Sequence, residues 1–173
     1  MTDIGEALWN STVRPADYAP GQEPGSEGYR AAVLEQYKLC VEMADRTSSR
    51  RNLTNTFFLS LNSVIAATLT GLGGEGLPHA PLWALLGGLA ILFAQCVGWF
   101  VIIRSYRLLN AAKYAVIGAF EERLPAYAYS RAEWQALGEG RDWRKYLPLT
   151  HVEQWVPFVF ALTYLLGFAA AVV

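Results

Sequence analysis

The lysines and arginines of this chain all lie on one side of a three-segment hydrophobic pattern, and that asymmetry limits the folds open to it. The apolar runs cover residues 53–72, 82–103 and 155–173. Each is close to the ~20 residues an α-helix needs to cross a bilayer core. The fourteen basic residues precede the first run or fall between the second and third, and the short loop 73–81 has none. Basic residues stay on the cytoplasmic side of a membrane. The pattern therefore predicts an all-α integral membrane protein with three transmembrane helices, N-terminus inside and C-terminus outside. The alternative is a soluble helical protein whose core helices are these three runs.

The composition narrows the function. The spans take up about a third of 173 residues, leaving a cytoplasmic remainder fit for one small helical layer rather than a separate enzyme domain. No enzymatic activity is expected. Fourteen of the fifteen acidic residues share the basic side. That face is charged but balanced, without the net basic patch that nucleic-acid binding needs. Residues 1–17 lack a basic stretch followed by an apolar run, so no cleavable signal peptide is expected there, and the first span would act as its own insertion signal. Cys40 falls on a cytoplasmic helix and Cys96 inside the membrane, which argues against a disulfide or a cysteine metal site. His79 and His151 fall on opposite sides of the membrane. No metal and no cofactor is expected. The glycine-rich stretch 71–76 superficially resembles a phosphate loop, but it lacks the following lysine and hydroxyl and follows a membrane helix rather than a strand.

Residues 1–28 are polar and broken by Pro15, Pro20, Gly21, Pro24, Gly25 and Gly28, a flexible cytoplasmic tail in which Ile4, Leu8 and Trp9 offer a short surface contact. Residues 29–173 read as a single helical membrane domain. From Tyr29 to Thr70 there is no glycine or proline, enough for one helix of ~60 Å. Its first half is amphipathic. Val33, Tyr37, Cys40, Val41 and Ala44 share one face, while Lys38, Glu42 and Arg46 are spaced to pair along another. Pro81 suits the first position of the second helix, which continues past the membrane to a stop at Pro125. Its cytoplasmic end has an apolar face of Leu108, Leu109, Ala112, Val116, Ala119 and Phe120. The two extensions predict an antiparallel cytoplasmic hairpin, or stalk. Ser130 with Glu133, and Thr150 with Glu153, fit capping boxes for a short helix ending near Gly138 and for the third span. Trp83 and Trp155 fall at interface depth.

The residues flanking the spans form a specific string: 37–46 (YKLCVEMADR), Arg51-Asn52, 55–59 (NTFFL), Leu61-Asn62, 105–113 (SYRLLNAAK), Leu124-Pro125, Glu133-Trp134, 140–142 (GRD) and 150–153 (THVE). From about residue 30 to 165 the chain resembles the RipA-like octameric membrane proteins, a family of small bacterial membrane proteins. The resemblance implies a ring-like homo-oligomer, an octamer, in the bacterial cytoplasmic (inner) membrane. It carries no catalytic residue over. A looser likeness is to the two-span effector domains of bacterial conflict systems, thought to form pores; the third span departs from that pattern.

Several polar and small residues stand out within the spans. Thr56, Ser60, Ser63, Ala67 and Thr70 recur every three or four residues and form one narrow stripe with Asn52. Such a stripe either admits another helix at close range or lines water. Asn62 and Gln95 lie at similar mid-membrane depth. Each needs a partner, because an unpaired amide in hydrocarbon costs several kcal/mol: the other amide, or a neighbouring subunit. Gly87, Ala90, Ala94 and Gly98 form a small-residue packing face, within or between subunits. Arg104 and Glu153 gather at the inner interface, where they would pair or simply be solvated. Two functions remain. One is a homo-oligomeric scaffold holding a cytoplasmic partner through residues 104–150. The other is an oligomeric pore for ions or small solutes, favoured by the first-span stripe and disfavoured by the lack of any charged ring. The expected partners are further copies of the chain, membrane lipid and a cytoplasmic protein, with no nucleic acid.

Overall fold

The structure is a computed structural model and describes residues 4–13, 27–72, 81–138 and 149–172. Every regular element among the described residues is helical. In order these are α1 (Ile4–Leu8), α2 (Glu27–Leu72), α3 (Leu82–Glu121), a π-helical segment (Ala128–Glu133) that runs into the single turn α4 (Trp134–Ala136), and α5 (Leu149–Val172). α2, α3 and α5 are each long and apolar enough to span a membrane. The chain is an all-α membrane protein. The proline- and glycine-free stretch forms one helix without interruption between residues 46 and 54, as the sequence predicts. Pro81 sits one residue ahead of the first helical position, its carbonyl accepting the N–H groups of Ala84 and Leu85 at 2.9 and 3.2 Å. Residues 73–80, with the glycine-rich turn and His79, lie outside the described residues, as do 139–148 and much of the predicted tail.

The chain divides into two compact units, Met1–Ser48 with Leu108–Leu147, and Ser49–Arg107 with Pro148–Val173. In the first, α2 and α3 run antiparallel. Tyr37 meets Glu121, Met43 meets Lys113 and Ser48 meets Asn110. The predicted α2 face turns inward, with Val33 and Ala44 buried and Tyr37, Cys40 and Val41 half-buried. The α3 face predicted from the sequence is rotated. Ala119 and Phe120 are buried, but Leu108, Leu109 and Ala112 are exposed, and the inward line runs instead through Asn110, Ile117 and Glu121. Period counting favoured apolar residues, whereas the inward line includes an amide and a carboxylate. On the outer face Glu42 pairs with Arg46 at 2.6 Å, as predicted, while Lys38 turns to Glu35 at 3.5 Å rather than to Glu42. Pairs this exposed contribute little to stability. The predicted tail contributes α1. Trp9, which follows it, packs edge-on against Phe120 at 5.4 Å and beneath the Arg123 guanidinium at 3.5 Å.

In the second unit α5 runs parallel to α2 and antiparallel to α3. Arg51–Glu153 and Asn62–Tyr164 share one offset of 102 residues. Between α3 and α5 the order reverses, with Arg107 on Gln154 and Trp99 on Phe160. This alternation of direction is what three successive membrane crossings require. The core is aromatic: Trp99 stacks on Phe58 with planes 10° apart and centroids 5.6 Å apart, and Ile103 is fully buried. Pro157 lies inside α5. A proline is tolerated within a membrane helix where neighbouring groups satisfy the freed backbone. Trp83 and Trp155 point outward, 77 % and 69 % exposed, as interface anchors do.

Candidate functional site

The first unit is organised around a carboxylate at an unfavourable place. Glu121 is the last residue of α3, where the helix macrodipole disfavours negative charge. It is nevertheless fully buried. The chain then turns back, and the π-helical segment presents the free N–H groups of its first turn. Glu121 Oε1 accepts the Tyr129 N–H at 2.8 Å, and Oε2 accepts the Ser130 N–H at 2.9 Å and the Ser130 hydroxyl at 2.5 Å. Tyr37 Oη donates to Oε1 at 3.2 Å. The carboxylate thus caps a helix other than its own and ties it to α2. Burial by itself would raise its pKa; the hydrogen bonds from Ser130, Tyr129 and Tyr37 outweigh burial, and the net shift is downward. Loss of solvent together with the Glu121 charge pushes Tyr37 up to about 12. The predicted capping box at Ser130 is not formed. Tyr127 holds the N-cap position, and the Ser130 hydroxyl is spent on Glu121. Gly118 permits the approach, since a Cβ there would stand 3.3 Å from the Ser130 Cβ. Gly138, with φ 73°, ends the element where predicted.

The second unit has its own polar core. Asn62 is fully buried. Its Nδ2 donates to the Phe58 carbonyl at 2.8 Å, and its Oδ1 accepts the Tyr164 hydroxyl at 2.7 Å. Tyr164, not Gln95, is therefore its partner. The sequence contained the clue: Asn62 lies eleven residues beyond Arg51, and Tyr164 eleven beyond Glu153, so parallel helices put them at one depth. Trp99 Nε1 donates to Asn55 Oδ1 at 3.2 Å. Asn55 belongs to the string that carries the family resemblance, and helical period alone gives neither it nor Trp99 a polar partner. Gln95 is half-buried, and its buried Nε2 meets no hydrogen-bond partner among the described residues. Glu153 faces Arg51 at 3.7 Å, while Arg104 is exposed; the two predicted interface charges are not brought together.

The small-residue faces are turned away from the subunit's own core. Thr56, Ser60, Ser63, Ala67 and Thr70 are all exposed, as are Gly87, Ala90 and Ala94, with Gly98 half-buried. A Cβ added at Gly87 or Gly98 would meet nothing within 4 Å. The stripe hydroxyls of Thr56 and Thr70 donate to carbonyls of their own helix, those of Asn52 and Ala66. Among the described residues no three His, Cys, Asp or Glu side chains cluster to hold a metal. Compared with known proteins, residues 34–173 match a family described as 8xMP, the octameric membrane protein family. No curated protein and no solved structure matches the chain.

Two consequences follow for stability. Because the folded pKa of Glu121 is lowered, its contribution is complete above the ordinary glutamate value of ~4.3 and is lost as pH falls through the lower folded value. Acid unfolding followed by helix content in detergent should show this, and Glu121→Gln should flatten that limb while costing about 2 kcal/mol at neutral pH through unmatched Ser130 and Tyr129 donors. In the other unit, Tyr164→Phe leaves the Asn62 oxygen buried without its donor and should cost ~1–3 kcal/mol. Adding Asn62→Leu to that variant should recover most of the loss, measured by denaturant unfolding.

Proposed function

The chain belongs to the octameric membrane protein family, and on that premise we propose that it is a membrane scaffold: a homo-oligomer that holds a cytoplasmic protein partner through residues 104–150. The small-residue faces of α2 and α3 are its seams in the membrane. One observation carries the choice of scaffold over channel. The stripe from Thr56 to Thr70 faces outward, yet the threonine hydroxyls at both ends are satisfied by their own helix. What such a threonine offers a neighbour is a methyl group and a small profile. That suits close, dry helix contact better than a wetted lumen, and no charged side chain marks the stripe as an ion path. The pore is the alternative reading, supported by the same stripe being continuous and exposed. The likeness to the RipA-like proteins favours a bacterial cytoplasmic membrane, with the N-terminus inside by the charge rule.

Ser63→Leu tests the seam. In a close helix contact it overfills the space and should lower oligomer stability by ~1–3 kcal/mol, read as loss of native mass in detergent. Parent protein that conducts in liposomes, with Ser63→Leu fully assembled but silent, would reverse the choice in favour of the pore. Orientation is tested separately: Gly74→Cys should react with an impermeant thiol reagent added outside intact cells, and Gly140→Cys should not. Labelling at Gly140 alone would invert the topology.

A further inference from the structure

The first unit carries two grooves on opposite faces of the α2–α3 hairpin. One is lined by Leu39, Cys40, Met43, Ala112, Lys113 and Val116. The other includes Asp45, Ser48, Tyr114 and Tyr129. At 100° per residue, Leu39 and Met43 fall on one side of the buried α2 line through Val33 and Ala44, and Asp45 and Ser48 on the other. On α3, Ala112 and Val116 lie on one side of Ile117 and Tyr114 on the other. The first groove is apolar apart from Lys113. Leu39 and Met43 remain 52 % and 49 % exposed there.

Lipid is not the natural cover for this groove. The same stretch of α2 exposes Glu35, Lys38, Glu42 and Arg46, so the groove lies on a charged helix surface rather than a uniformly apolar one. A family of octamers requires that copies of this chain touch somewhere. Closed rings are built from two different, complementary faces, and two-fold contacts from one self-complementary face. Lys113 against Lys113, or Asp45 against Asp45, would set like charges together, whereas the two unlike faces match in sign.

We propose that successive copies associate head to tail through this unit, the Leu39–Met43–Lys113 groove of one copy receiving the exposed Asp45 and Tyr129 side chains at the edge of the opposite groove on the next. Tyr129 is held for this contact by Glu121, which fixes the π-helical segment by its N–H groups. The inference rests on self-association of the chain and is independent of whether the assembly scaffolds or conducts.

Cross-linking the full-length protein tests it. In a Cys40→Ser background, with the buried Cys96 retained, the double variant Asp45→Cys/Lys113→Cys should give a ladder of covalent multimers on mild oxidation. Either single variant should stay monomeric on a denaturing gel. Dimers from a single variant would show a two-fold contact and overturn the proposal. So would a double variant that keeps the parent's native mass but forms no ladder. Charge exchange covers loss of assembly in the cysteine variants: Lys113→Glu or Asp45→Lys alone should lower the assembled fraction several-fold, and the two together should restore it. Single reversals that assemble like the parent would also overturn the contact. The parent's own native mass decides self-association separately, since a monomeric parent would remove the premise and not merely this interface.

Discussion

An asparagine in the middle of a membrane helix has few options, and the second unit is arranged around the one it takes. Lipid gives helices no hydrophobic reason to associate, so packing and interhelical hydrogen bonds must hold them together. Asn62 cannot remain unpaired in hydrocarbon without a cost of several kcal/mol, and Tyr164 supplies its donor. That bond fixes the register of α5 on α2. The same offset aligns Glu153 with Arg51, so a slip of one residue would break both contacts together. Trp99 of α3 packs between the other two helices, stacked on Phe58, tilted against Phe160 and hydrogen-bonded to Asn55. Shape and polarity select the same arrangement.

The first unit meets the opposite problem. Its two helices bury Val33, Ala44, Ile117 and Phe120 between charged outer faces, but two helices cover little surface. The chain after α3 supplies what is missing. Glu121 gathers the π-helical segment through two N–H groups and a hydroxyl, and Trp9 closes over Phe120 and Arg123. A buried carboxylate is tolerated here because four donors surround it, and removing donors would leave a charge with no compensation.

The helices and their apolar spans were legible because they depend on length, hydropathy and the absence of glycine and proline, all of which are local. The inward α2 face was legible for the same reason, its apolar residues recurring at helical period. The α3 face was not, because Asn110 and Glu121 occupy inward positions that a period count assigns to solvent. The capping box at Ser130 failed on competition: the motif describes a serine free to cap its own helix, and Glu121, nine residues earlier, takes the hydroxyl. Asn62 was legible as a residue in need of a partner. Its partner is not legible, because tyrosine in a span reads as an apolar aromatic until helix depths are matched.

On α3 a line of small residues lies opposite the buried line, on a face it shares with the exposed Ile91, Val97 and Val101. The inward face of α3 is Cys96, Trp99 and Ile103, all buried, whereas Gly87, Ala90 and Ala94 point away from the core. Large side chains discriminate between registers because a wrong pairing leaves voids or clashes, each costing kcal/mol. Small side chains discriminate poorly but let backbones approach. A chain that must first fold and then join copies of itself in the same apolar medium gains from this division. Bulky, hydrogen-bonded contacts define the subunit, and the small-residue lines lie outside them. The outward threonines fit the same logic, since their hydroxyls bond to their own backbone and require nothing from the neighbour except proximity.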